Sequence, residues 1–304
     1  MVDGMKWNPG TWSNEFWQEL ESETPRKFPY NAEAYADSLG VNWGAIQGDR
    51  YALPMAYRTK YGLGTAYQPF GVQQWGPVGA HADDAASLRD AVRAIPGRFK
   101  KVNIAMSRPD HWHHSEGWQR HGLRWERWTE CPNYELDLTQ SVEQLHQGFS
   151  SQCQRNVKKS SQFKHEMFEH DAPEVLLRQF ELNQGKRYQL DPGFLPGMRS
   201  AMHHLMHIGR GAVWTLYSEG NQFLAGALFA FSGNRAVLLF SAISEHGRSQ
   251  QSMTYLINEA ITYMQGRWEI LDFEGSAEPG LARFYQGFGA ELRPYLRYER
   301  YAIL

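Results

Sequence analysis

Three runs rich in β-branched and aromatic residues, "GAVWTLYSEG", "QFLAGALFAF" and "RAVLLFSAIS", follow one another between residues 211 and 244. Only Glu219-Gly220-Asn221 and Ser232-Gly233-Asn234 part them. Turns this short join antiparallel neighbours, because a parallel return needs a much longer crossover. The segment predicts an antiparallel meander, and the rest of this half must pack around it. Helical patterns lie on both sides. In "SVEQLHQGFSSQCQRNVKKS", Leu145, Phe149, Cys153 and Val157 recur at i, i+4, and "APEVLLRQFELNQGKR" reads as a second helix with Pro173 near its start. After the meander come a helix "SMTYLINEAITYM", a strand "WEILDFEG", a short helix around "LARFYQGF" and a closing strand "AELRPYLRYERYAIL". The order is ααβββαβαβ.

The first half carries the same order without evident sequence identity. Helical "TWSNEFWQEL" and "NAEAYADSLG" precede strand-like runs parted by Gln47-Gly48-Asp49 and Thr59-Lys60-Tyr61-Gly62. A helix around "DDAASLRDAVRAI" leads to the strand "KKVNIAMS", and "GWQRHGLRWERW" matches "FYQGFGAELRPYLRY" as helix end, glycine, then an aromatic and arginine strand. The expectation is a mixed α/β chain with mainly antiparallel sheets. It consists of two tandem units, residues 1–135 and 136–304, with a cleft between them.

Composition bounds the function. The 304 residues, 42% of them hydrophobic, supply core enough for two such units. A formal charge of −2 gives no global attraction to a polyanion, so a phosphate-bearing ligand must meet a local patch. Cys131 and Cys153 are the only cysteines and form no CxxC pair, which excludes a disulfide framework and a cysteine-rich zinc site. Nowhere do about 18 apolar residues follow one another, and the N-terminus lacks an apolar run behind a basic start. These features read as a cytoplasmic protein with no membrane insertion.

The blocks "SSQCQRNVKKS", "SAISEHGRSQQSMTYLINEAI" and "LDFEGSAEPGLARFYQGFGA" resemble the GNAT acyltransferase fold. The doubled arrangement is similar to the Fem family of peptidoglycan-bridge aminoacyltransferases. The resemblance spans most of the chain, more clearly from about residue 135 onward. It implies N-acyl or aminoacyl transfer to a substrate amine by direct attack, without a covalent intermediate. Acyl-coenzyme A or aminoacyl-tRNA would be the donor. A small-molecule or peptidoglycan-precursor amine would be the acceptor, with tRNA as a further partner. The GNAT pyrophosphate loop usually reads Q/R-x-x-G-x-G/A, whereas here Arg248-Ser249-Gln250-Gln251-Ser252-Met253 holds no glycine and Gly247 stands just before it. Both donors therefore stay open. Arg248 and Ser249 are the donor-binding candidates of that segment.

Glu274 stands at the mouth of the strand "WEILDFEG", where a carboxylate can take the proton of an attacking amine. The alternative is that Asp272, Glu274 and Ser276 cap the helix beginning near Pro279. Tyr285 matches the position from which the resemblance implies protonation of the leaving group; the alternative is a packed aromatic. Arg155, Lys158 and Lys159 fall at i, i+3, i+4 on one helix face, a local cationic ridge for a phosphate. Tyr67, Gln73 and Gln74 occupy a Gly- and Pro-rich loop of the first unit and are further substrate-binding candidates. His203 and His207 lie one turn apart, but no third ligand is specified near them, so no metal is expected. The substituted loop also leaves room for a noncatalytic RNA or nucleotide-sugar binding module on a decayed transferase fold.

Overall fold

The computed structural model describes residues 4–10, 14–31, 33–188 and 193–302. The chain forms, in order, β1 (Lys6–Asn8), α1 (Asn14–Glu23), α2 (Glu33–Ser38), β2 (Trp43–Gly48), β3 (Tyr51–Lys60), β4 (Leu63–Tyr67), α3 (Ala85–Arg93), β5 (Phe99–Met106), β6 (Gln119–His121) and β7 (Arg124–Cys131). It continues with β8 (Tyr134–Asp137), α4 (Val142–Gly148), α5 (Ser151–Ser160), β9 (His165–Phe168), α6 (Pro173–Tyr188), α7 (Phe194–His207), β10 (Gly211–Ser218), β11 (Phe223–Ser232) and β12 (Arg235–Ile243). The last elements are α8 (Glu245–Ser249), α9 (Ser252–Met264), β13 (Ile270–Asp272), α10 (Pro279–Gln286), β14 (Glu291–Leu292) and β15 (Tyr295–Ala302).

Two compact units result, residues 1–132 with 294–304, and residues 133–293. The first thus ends at Pro132 rather than at 135, and it takes back the last strand. What reads in sequence as one closing strand is two. Glu291–Leu292 pairs with β8, while β15 pairs with β5 and β7 in the sheet of the first unit. Pro294 separates them, and proline cannot donate to a ladder. Tyr295, Leu296 and Tyr298 of β15 are then buried, at 3%, 0% and 1% exposure, which accounts for its place in that sheet.

The first unit has the sheet order β1-β2-β3-β4-β5-β15-β7-β6. Between β3 and β4, Tyr61 and Gly62 have φ of 52° and 75°, two consecutive left-handed residues that close a two-residue hairpin with the twist of its strands. The stretch "GWQRHG" does not end a helix: Gln119–His121 is a strand, turned at Gly122 (φ 63°) into β7. Asp84 caps α3 by accepting the N–H groups of Ala86 and Ser87, and the helix buries Leu88, Ala91 and Val92 in the core of this unit.

In the second unit the expected meander forms, β10 to β11 to β12, all antiparallel, within the order β14-β8-β13-β12-β11-β10-β9. Both sheets are mainly antiparallel, and among the described residues each holds a single parallel pair of strands, β4–β5 or β12–β13, beside the meander. The first helical pattern is two helices, because Phe149 takes an extended ψ of 137° and Ser150 starts α5 by accepting the Cys153 N–H. Its stripe nonetheless faces the core: Leu145, Phe149 and Cys153 are buried with Leu256, Ile257, Ala260 and Ile261 of α9. Each large side chain so withdrawn contributes about 1.5–3 kcal/mol before the entropy cost of ordering it.

Candidate active site in the second unit

The parallel pair positions the site. β13 is only three residues long, and its register with β12 stops at Val237↔Asp272 although β12 runs on to Ile243. Beyond that point the strands part. Opposite β11, the register of β12 jumps from Phe240 to Leu238, so Leu239 is an extra residue of the kind that bends a strand. Among the described residues β12 has no ladder partner on the β13 side beyond Val237, an arrangement suited to a developing oxyanion.

A buried polar network centres on Asp272, the last residue of β13 in register with β12. Asp272 is fully buried; its Oδ2 accepts a hydrogen bond from Arg235 Nη1 at 2.9 Å, and its Oδ1 accepts one from Asn133 Nδ2 at 2.9 Å. The same Arg235 nitrogen donates to Glu135 Oε1 at 2.7 Å. Burial raises the Asp272 carboxyl above the usual carboxylate range, against the opposing pull of the guanidinium. Removing one member of such a network leaves a buried charge uncompensated.

Glu274 follows directly. It is 6% exposed, has a left-handed φ of 39°, and its N–H donates to Asp272 Oδ1 at 3.1 Å. Its carbonyl accepts Ser276 Oγ at 3.2 Å. The capping alternative does not hold: the residue before α10 is Glu278, with no side-chain cap bond, and the Asp272 carboxylate is engaged by the network instead. Tyr285 is 4% exposed in the core of this unit, its ring stacked on that of Phe273 with centroids 4.7 Å apart. Through Phe273, the residue before Glu274, the two catalytic candidates come onto neighbouring elements.

The basic ridge and the 248–249 segment also meet. Arg155, Lys158 and Lys159 are exposed on α5, and Lys159 Nζ donates to the Ser249 carbonyl at 3.1 Å. Arg155 donates to Gln152 Oε1 at 2.8 Å. The segment around Arg248 is no glycine loop. It is the end of α8, followed by a left-handed turn at Gln251 (φ 60°) into α9, with Ser252 fully buried and its Oγ lacking a hydrogen-bond partner among the described residues. Gly247 is required here, since a Cβ on it would lie 2.0 Å from the Leu224 carbonyl oxygen.

Tyr67, Gln73 and Gln74 belong to the first unit. Tyr67 lies under the Arg58 guanidinium at 4.6 Å and Gln74 is 5% exposed. His203 pairs with Glu174 at 2.9 Å, and among the described residues no group of three or more His, Cys, Asp or Glu is placed to hold a metal ion. Burial pushes the Cys153 thiol up to about 12, which leaves it protonated and a poor nucleophile. Sequence reasoning missed Asn133, Glu135 and Arg235. The available signal was an arginine opening a mostly apolar strand, in the same sheet as a strand that ends on Asp272.

Residues 149–279 match the family model of the acetyltransferase (GNAT) domain, which lies within the second unit and supports an acyltransferase. Over the whole chain the fold is similar to that of the solved FemX structure, at 12% identity, with 97% of each chain covered and a TM-score of 0.66. It is also similar to the L-PGS of Bacillus licheniformis, at 11% identity, covering 94% of this chain and 91% of that one, with a TM-score of 0.54. A third likeness is the C-terminal domain of a putative lysylphosphatidylglycerol synthetase from Agrobacterium fabrum, at 13% identity, 94% and 92% coverage and a TM-score of 0.53. No curated protein matches the sequence. Identities this low establish a shared fold, and the domain match supports GNAT-type acyl transfer for the segment it covers. Among the described residues no helix is long and apolar enough to cross a membrane.

Proposed function

We propose that this protein transfers an activated acyl or aminoacyl group to a substrate amine, with the chemistry at the parting of β12 and β13. The observation that carries the reading is Glu274, a carboxylate residue held in a left-handed backbone at the end of β13, inside the segment matched by the GNAT domain. The amine nitrogen attacks the acyl carbonyl, its proton passes to Glu274 directly or through water, and backbone N–H groups of the open edge of β12 receive the oxyanion. Collapse forms the amide bond and expels the donor oxygen or sulfur, which takes a proton from Tyr285. The resemblance to the Fem transferases supports a peptidoglycan-precursor amine as acceptor. The helical segment that replaces the glycine loop supports aminoacyl-tRNA over acyl-coenzyme A as donor, and the ridge of Arg155, Lys158 and Lys159 beside Arg248 and Ser249 is suited to its phosphates. Tyr67, Gln73 and Gln74 remain separate substrate-binding candidates within the first unit.

The test offers the purified protein a pool of aminoacyl-tRNA or acetyl-coenzyme A, with a uridine-diphosphate-linked muramyl pentapeptide as acceptor, and reads the acceptor mass. An aminoacyl adduct formed by the wild type and lost in Glu274→Gln is the expected result. An acetyl adduct would reassign the donor, and an equal rate in Glu274→Gln would end the assignment of the base.

A further inference from the structure

Glu274 needs a reason to hold a backbone conformation that L residues with a long side chain rarely adopt. Its φ of 39° is constrained from both sides: the N–H is bound by Asp272 Oδ1 at 3.1 Å, and the carbonyl by Ser276 Oγ at 3.2 Å. The preceding residue is held as well, since the Phe273 N–H donates to the Tyr134 carbonyl at 3.0 Å and its ring stacks on Tyr285. The acceptor that binds the Glu274 N–H cannot itself rotate. Asn133 Nδ2 shares its Oδ1, and Arg235 Nη1 takes its Oδ2, both at 2.9 Å, in a place with no solvent exposure. Arg235 is oriented in turn by Glu135 on β8. Three strands, β8, β12 and β13, thus converge on one carboxylate whose remaining bond goes to the amide of the proposed base.

We infer that Asp272 is a positioning residue, fixed by Arg235 and Asn133, that locks the backbone of Glu274 in its left-handed conformation and so sets where the Glu274 carboxylate stands during transfer. The inference rests on the reading of Glu274 as proton acceptor. A network serving stability alone would hold β8, β12 and β13 together without needing a bond to the residue after the strand. Here that bond is the one that ties the network to the strand mouth. Catalytic groups depend on being held within about half an ångström of their working position, so release of the amide costs turnover even where binding is unaffected.

The experiment compares Asp272→Ala, which removes the acceptor, with Asp272→Asn, which keeps an oxygen at the Oδ1 position, and with Asn133→Ala, which leaves the carboxylate in place should the first variant fail to fold. Two readouts are taken, hydrogen exchange of the Glu274 amide by NMR and the split between kcat and KM in the transfer assay above, with Glu274→Gln run beside them. The expected result is Glu274 amide exchange at least about tenfold faster in Asp272→Ala and intermediate in Asn133→Ala. kcat should fall roughly 10- to 100-fold with KM within about threefold, and Asp272→Asn should recover part of both losses. An amide that exchanges at the wild-type rate in Asp272→Ala, while Glu274→Gln is inactive, overturns the positioning role and leaves the base assignment standing. Full turnover in Glu274→Gln overturns the base and the positioning role with it. Loss of melting temperature in Asp272→Ala with kcat retained at lower temperature reduces the network to a structural one and overturns the inference.

Discussion

Lys159, in the last turn of α5, donates its ammonium to the carbonyl of Ser249, in the last turn of α8, at 3.1 Å. The lysine is thereby drawn to the negative end of α8, while Arg155 and Lys158 of α5 and Arg248 of α8 are likewise exposed. If this cluster meets the donor's phosphates, the triple variant Arg155→Ala, Lys158→Ala, Lys159→Ala will bind its probe at least about tenfold more weakly and with a shallower dependence on salt. Its stability should move by no more than about 0.5 kcal/mol, because the side chains are exposed. Titration with uncharged tRNA and, separately, with coenzyme A between 50 and 200 mM salt, roughly the range over which phosphate contacts lose most affinity, checks this. Wild-type affinity for both probes would remove the cluster from the site.

Tyr285→Phe preserves the ring that stacks on Phe273 and deletes the hydroxyl. The expected outcome is a fall in kcat of roughly 10²- to 10⁴-fold with KM little changed. Steady-state kinetics beside calorimetry separates the roles. An unchanged kcat would return Tyr285 to packing alone.

Asp272 gives the stability a pH signature. Burial raises its folded pKa above the ordinary 3.8, so the folded state holds the proton more tightly than the unfolded chain does. The sign follows: this group's contribution is complete below 3.8 and is lost as pH rises from there through its folded pKa. Urea unfolding of the wild type should therefore carry a component that weakens upward from about pH 4, and Asp272→Asn should lack it. Identical pH slopes for the two proteins would mean that Arg235 keeps the carboxylate at its ordinary pKa.

Both cysteines should be silent in the native protein. Burial raises the Cys131 thiol, and takes that of Cys153 to about 12. At pH 8 the Cys153 thiolate is then on the order of 10⁻⁴ of the total. Reaction with an aromatic disulfide reagent should proceed at the rate of unfolding and reach both thiols only in denaturant. A rapid stoichiometric reaction of the folded chain would show an accessible thiolate.

The meander of the second unit was legible in the sequence because it is local. Its turns are Glu219-Gly220-Asn221 and Ser232-Gly233-Asn234, and two short turns admit only antiparallel pairing. The buried stripe of Leu145, Phe149 and Cys153 was legible for the same reason, as a spacing along one helical face that survives even where Ser150 divides the helix. Candidate residues could be placed on their elements by the same local rules, so Glu274 at a strand mouth and Lys159 on a basic face stood out before any contact was visible. What the tertiary structure alone decided is non-local. Neither the pairing of β15 with β5 and β7 nor the convergence of Asn133, Arg235 and Asp272 has a periodicity, since strand partners and buried ion pairs are chosen by complementarity between segments distant in sequence. Asp272 illustrates the limit. Along the chain it is a carboxylate before a helix and reads as a cap, but the fold surrounds it with Arg235 and Asn133 and excludes water, and in that setting its oxygens are worth more to the buried partners than to the N-terminus of α10.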